Sequence, residues 1–186
     1  RITNLEAYLM QSRLLSYLGK RRYALQTLEI AQEVFPQNIE LVAKYTHLLL
    51  LGNISGSALE ESISKLKSFL NTLSFESDLK VIVECALSHY ELREGDFVAG
   101  ENILVRCLAT GDAPIEAFML RAELFLGSDR LIQAKEMFRR ALEIDPKDPI
   151  PYIEMSRLYC NSEDIQDLEW GTQCAETACK LTQWKN

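Results

Sequence analysis

The chain has 186 residues, 47% hydrophobic and 25% charged, which is the composition of an ordinary packed domain. Its 27 acidic residues outnumber its 20 basic ones, and the net charge of −7 argues against a nucleic-acid ligand and an anionic membrane surface. Its longest strongly apolar run, Leu48–Leu51, is far shorter than the roughly 20 residues of a membrane-spanning helix. We therefore expect neither nucleic acid nor membrane among the partners.

In the first two segments, 5–38 and 39–76, small, apolar and aromatic residues recur at helical spacing in two successive stretches. Each stretch forms a stripe along one face of a predicted helix, and a turn separates the two helices. In segment 5–38 the turn falls at Gly19, and the second helix stops before Pro36 because proline cannot continue a helix. Segment 39–76 is more divergent, with an enlarged loop at 52–56 followed by a predicted capping box. The box pairs Ser57 with Glu60. The stripes consist of Tyr8, Ser12, Leu15, Ala24, Leu28 and Ala31 in the first segment, and Val42, Tyr45, Thr46, Leu49, Ser62, Leu66 and Phe69 in the second.

The pattern recurs in segments 77–114, 115–148 and 149–186. It is clearest in 115–148, where a break at 127–129 separates two stripes and Pro146 ends the second helix. The inter-helix turn of the last segment, at 161–166, is about three residues longer than in the other units. The stripes consist of Leu87, Ser88, Gly95, Gly100, Leu104 and Cys107; then Phe118, Ala122, Phe125, Ala134, Phe138 and Ala141; then Tyr152, Met155, Ser156, Tyr159, Gly171, Ala175 and Ala178.

These units resemble tetratricopeptide repeats, whose small residues let two helices approach closely around aromatic side chains. In segment 115–148 only the Leu of the pattern is missing, replaced by Arg121. The resemblance implies an all-α solenoid of five helix–turn–helix repeats, with ten antiparallel helices in a right-handed superhelix. It would form one domain over 1–186, a piece of a longer protein. The alternative is an irregular helical bundle with chance spacing.

No catalytic motif occurs: the sequence has no Gly-rich phosphate loop, no HExxH and no GxSxG. We therefore predict no enzyme, no catalytic residues, no cofactor and no metal. The two histidines, His47 and His89, occupy equivalent positions of neighbouring first helices and should project side by side. Cys85 lies one turn before His89, so a three-ligand metal site or a metal- or thiol-dependent sensor is the alternative to polar groove residues.

The five cysteines are an odd number without a CxxC, and all fall in apolar helical patterns. We expect free thiols in the core or groove of a protein from a reducing compartment, which favours the cytoplasm. A disulfide or metal among Cys160, Cys174 and Cys179 is the alternative.

In tetratricopeptide proteins, first helices line a concave face where ligands bind. The chaperone-binding members hold an acidic tail with Lys, Asn and Arg, and the matching positions here, including Leu9 and Lys44, lack that clamp. An extended peptide or amphipathic helix in an apolar groove fits better; the alternative is that this face packs against a further helix of its own chain or self-associates. The predicted partner-binding residues are Leu9, Arg13, Tyr17, His47, Leu50, His89, Met119, Glu123, Leu126, Ile153 and Arg157.

The sequence thus predicts a protein-interaction scaffold that binds a peptide or partner domain. The alternative is a substrate-recruiting region of a larger enzyme or secretion or assembly protein, with catalysis outside this chain. The last helix carries Cys174, Ala178, Leu181 and Trp184 without a following cap, so self-association through this helix is a further expectation.

Overall fold

The computed structural model describes residues 4–72, 78–111, 113–160 and 165–183, and these residues form helices without any strand. The all-α prediction is therefore confirmed. Within those ranges, no helix has the length and apolar character needed to cross a membrane. The described residues form ten helices: α1 (Leu5–Tyr17), α2 (Arg21–Val34), α3 (Ile39–Leu51), α4 (Ser57–Leu70), α5 (Asp78–Glu94), α6 (Phe97–Ala109), α7 (Ile115–Gly127), α8 (Leu131–Ile144), α9 (Pro149–Cys160) and α10 (Ile165–Gln183).

Consecutive helices pack as pairs: α1 with α2, α3 with α4, α5 with α6, α7 with α8, and α9 with α10. Three of the four joints between pairs lie where proline interrupts the helical pattern. Pro36 falls between α2 and α3, Pro114 directly precedes α7, and Pro149 is the first residue of α9. The fourth expected joint, Ser77, lies outside the described residues, as does most of the long turn expected at 161–166.

The chain divides into two compact units, unit 1 (Arg1–Pro114) and unit 2 (Ile115–Asn186). In unit 1, α3 packs against α2, α4 and α5, and in unit 2 α8 packs against α9. The division falls at the joint between the third and fourth predicted repeats. One domain over the whole chain stays a prediction.

Side-chain caps define several helix starts, but the predicted capping box is wrong. Asn38 and Asp96 each accept a backbone N–H three residues on, at 3.0 and 2.9 Å, and so cap α3 and α6. At α4 the cap residue is Gly56 (φ 116°), which makes no side-chain cap, and Ser57 is already helical. Glycine tolerates this left-handed backbone, so the helix begins one residue too early for Ser57 to cap it.

The small and aromatic positions of the repeat pattern in segment 115–148 lie in the core, as predicted. In unit 2, Ala134, Phe138 and Ala141 are all 0% exposed, and Phe138 belongs to a cluster with Ala122 and Phe125. Because an alanine side chain fills so little space, the facing helix can approach closely around the phenylalanine ring. The pattern therefore predicted the interior between α7 and α8 correctly, whereas Tyr152, Ser156 and Tyr159 of α9 are only half-buried.

In unit 1, α5 and α6 approach each other closely at Gly100. A Cβ atom there would lie 2.5 Å from Cγ of Leu92, a distance that real Cβ contacts do not show. The Ser88 hydroxyl donates to the Gly100 carbonyl at 2.7 Å and is buried. Gly100 therefore leaves the space in which α5 approaches α6, and Ser88 forms a hydrogen bond to the backbone of α6.

None of the five cysteines, all of which lie in the described residues, forms a disulfide, and they differ in burial. Cys85, Cys107 and Cys174 are buried, whereas Cys160 and Cys179 are exposed. Cys179 directly follows Ala178, which faces the interior, so it points away from the packed side of α10. Of the two expected places, core or groove, the core is therefore excluded for Cys160 and Cys179.

Candidate partner-binding surface

The packing of α3 against α5 brings His47 and His89 together, as predicted. Their Nδ1 atoms are 3.3 Å apart, with ring centroids separated by 5.1 Å and planes inclined by 60°. A neutral imidazole has one N–H, so one ring donates from Nδ1 while the other accepts there with its proton on Nε2. Equivalent positions of two consecutive first helices therefore meet at one half-buried point.

The surroundings of His89 keep its ring neutral. Burial, as the largest cause, together with the positive charges of His47 and Arg93, lowers the pKa of His89 to about 3. Arg93 follows His89 by one helical turn and donates from Nη1 to the Ile54 carbonyl at 3.2 Å. Sequence reasoning overlooked Arg93, although its spacing of four residues from His89 was visible.

The alternative of a three-ligand metal site is not supported. Among the residues that the structure describes, no three His, Cys, Asp or Glu side chains come together as metal ligands. Cys85 is only 3% exposed and does not complete a set with the two histidines.

The other predicted contacts of unit 1 have different environments. Leu9 packs half-buried against the core, and Arg13 is exposed. Leu50 is 2% exposed because α3 is enclosed by three helices, with nine of its 13 residues buried. The prediction that Leu50 is a ligand contact is therefore corrected, because this residue belongs to the core. The side chain of Tyr17 lies outside what the structure describes. We call Leu9, Arg13, His47 and His89 the unit 1 face.

In unit 2, the predicted residues come from α7 and α9. Met119 and Leu126 of α7 are half-buried against the core cluster that includes Phe125, and two residues of α9 pack on the same cluster. Residues of both first helices of this unit, α7 and α9, therefore contact one hydrophobic cluster. Ile153 is half-buried, while Arg157 and Glu123 are exposed. We call Met119, Glu123, Leu126, Ile153 and Arg157 the unit 2 face.

The carboxylates of α7 and α9 influence one another on the unit 2 face. Burial of the carboxyl group raises the pKa of Glu123, and the negative charge of Glu154 raises it further. Solvent around the exposed part of Glu123 screens this interaction. Glu154 accepts a hydrogen bond from Nη1 of Arg157 at 2.8 Å. Sequence reasoning overlooked Glu154, although an acid three residues before an arginine on a helix indicates such a pair.

No protein-family model and no curated protein sequence matches this chain. Solved structures do resemble it. The human IFIT1 dimer with m7Gppp-AAAA has 17% identity and a TM-score of 0.58, over 88% of this chain and 39% of that one. Two crystal structures of MamA have 15% and 14% identity and TM-scores of 0.54 and 0.52. They cover 92% and 97% of this chain and 94% and 93% of theirs.

At these identities the likeness concerns the fold alone, and the fold is a helical repeat array of the tetratricopeptide type. One of these structures also corrects an expectation drawn from composition. The IFIT1 structure holds the capped oligonucleotide m7Gppp-AAAA, so the exclusion of nucleic acid as a partner was wrong. The reason is physical: a net charge of −7 is a sum over the whole surface and does not describe the potential at one face.

Proposed function

We propose that this chain is an interaction module that belongs with the tetratricopeptide proteins and binds a protein partner on the faces of its first helices. The observation that carries the proposal is the packing of α3 against α5, with His47 and His89 in contact at 3.3 Å. Side chains of two successive repeats thereby form one surface. A peptide laid across this surface contacts both repeats at once, which is how an array holds an extended ligand.

The chemistry of the unit 2 face supports a ligand held by apolar contact and oriented by charge. Met119, Leu126 and Ile153 offer partly accessible apolar area, and methionine adapts to irregular ligand shapes. Ile150, which is 36% exposed and lies one turn before Glu154, extends this apolar area along α9. Arg157 adds an exposed positive charge that orients a ligand and speeds its association.

The test begins with affinity capture and mass spectrometry, followed by binding measurements with each captured partner. The informative variant is Ile150→Asp, which places a charge on the apolar part of the first-helix surface. Its matched control is Ile132→Asp, because Ile132 is 82% exposed at the start of the second helix α8. We expect Ile150→Asp to weaken binding at least about tenfold, equivalent to about 1.4 kcal/mol, and Ile132→Asp to leave it unchanged.

Three outcomes contradict the proposal. If both variants lose binding equally, or if only Ile132→Asp loses binding, the partner contacts a surface other than the first helices. Capture that disappears after nuclease treatment identifies a nucleic acid instead of a protein as the ligand. A capped oligonucleotide measured by fluorescence anisotropy alongside the captured protein separates these two cases directly.

A further inference from the structure

The last helix pair contains a close approach between a cysteine thiol and a glycine. A Cβ atom at Gly171 of α10 would lie 2.9 Å from Sγ of Cys160 and 3.1 Å from its backbone nitrogen, at the end of α9. Only glycine leaves room for the sulfur at this point. The thiol of Cys160 therefore lies directly against the surface of α10, although the residue remains exposed to solvent.

A second thiol lies on the same side of α10. Cys174 follows Gly171 by three residues, and helical positions at this spacing have Cβ atoms about 5–6 Å apart on one face. Cys174 is 7% exposed. Burial raises the pKa of its thiol, and the neighbouring Cys160 raises it further. The two sulfurs are thus neighbours, one open to solvent and one buried.

We propose that Cys160 and Cys174 are a redox modification site, at which a small-molecule disulfide such as oxidised glutathione closes an intramolecular disulfide between α9 and α10. A disulfide requires Cβ atoms about 3.5–4.5 Å apart and Cα atoms closer than about 7 Å. With the Cys160 sulfur already against α10 and Cys174 one turn along, rotation of the side chains and a small helix shift complete the bond.

The reaction takes place in two thiol–disulfide exchanges. The thiolate of Cys160 attacks one sulfur of oxidised glutathione and releases one glutathione thiolate, which leaves a mixed disulfide on Cys160. The thiolate of Cys174 then attacks the Cys160 sulfur and releases the second glutathione. Two protein thiols lose two electrons and two protons, and one glutathione disulfide becomes two thiols. The first step uses the exposed thiol, and the second speeds up with pH as Cys174 loses its proton.

Cys179 supplies an internal control. It is exposed and free like Cys160, but it lies five residues beyond Cys174, about 140° further around the helix. It therefore points away from the face that meets α9. Cys179 should therefore form a mixed disulfide with glutathione and no intramolecular disulfide.

The experiment incubates the full chain in glutathione redox buffers, alkylates the remaining thiols, and measures intact mass. Cleavage after glutamate then separates the cysteines, because Glu163 and Glu169 lie between Cys160 and Cys174, and Glu176 precedes Cys179. We expect both wild type and Cys179→Ser to yield a 160–174 linked peptide pair in which neither cysteine takes up the alkylating reagent, and wild type to carry a further glutathione on Cys179. Cys174→Ser should instead retain glutathione on Cys160, and closure in wild type should be faster at pH 8.5 than at pH 7.

Several results overturn the inference: glutathione that persists on Cys160 of wild type, a link between Cys160 and Cys179, no reaction at Cys160, or a 160–174 link that forms only in denaturant. Circular dichroism of each serine variant verifies that it is folded. The wild-type measurements decide the question even if a variant does not fold.

Discussion

The neutral state of His89 makes the stability of this protein depend on pH in a predictable direction. The pKa of His89 is about 3 in the folded chain, against about 6.5 in an unfolded one. Between these values the unfolded chain binds more protons, so stability is fully present above pH 6.5 and is lost as the pH falls towards 3. Acidification from pH 7.5 to pH 5 should cost at most about 2 kcal/mol from this residue, since the difference grows by 1.36 kcal/mol per pH unit below the unfolded pKa.

Urea unfolding followed by far-ultraviolet circular dichroism at pH 7.5, 6 and 5 measures this effect. His89→Gln removes the titrating ring, so we expect this variant to lose less stability than wild type over the same interval, by up to about 2 kcal/mol. His47→Gln is the matched control: it keeps the buried His89 ring, and burial is the leading cause of the lowered pKa. Its pH dependence should stay close to that of wild type. Parallel losses in wild type and His89→Gln would refute the reasoning.

The packing inside each unit gives further predictions, and all of them are measured as free energies of unfolding. Phe138→Ala leaves a cavity in a fully buried site and should cost about 3–5 kcal/mol. Ala134→Leu and Ala141→Leu overpack the same interior and should each cost about 1–3 kcal/mol; wild-type stability in these variants would mean that the assigned core is incorrect. Gly100→Ala should cost about 1–3 kcal/mol, because the new methyl group meets Leu92. A Gly100→Ala/Leu92→Ala double variant that loses the sum of both single effects would count against this clash.

The sequence by itself determined the helix pairs and their interiors. Proline and glycine act on the backbone where they stand, so Pro36, Gly127 and Pro149 mark joints or turns regardless of the surroundings. The small residues Ser88 and Gly100 recur at fixed spacings because helices can approach closely only there. The same spacing placed His47 beside His89, since equivalent positions of packed neighbouring repeats meet.

Tertiary structure alone decided which residues solvent or a ligand can reach. The resemblance to tetratricopeptide repeats, combined with one-turn spacing along α3, predicts Leu50 as a groove residue, yet three neighbouring helices enclose α3 and bury it. Cys160 and Cys174 lie in similar apolar patterns, but one is exposed and the other buried. The lowered pKa of His89 likewise depends on how deeply its ring is buried. The helical period in the sequence determines the direction in which a side chain points from the axis of its own helix. Its burial and the charges around it depend on which residues other helices place opposite it.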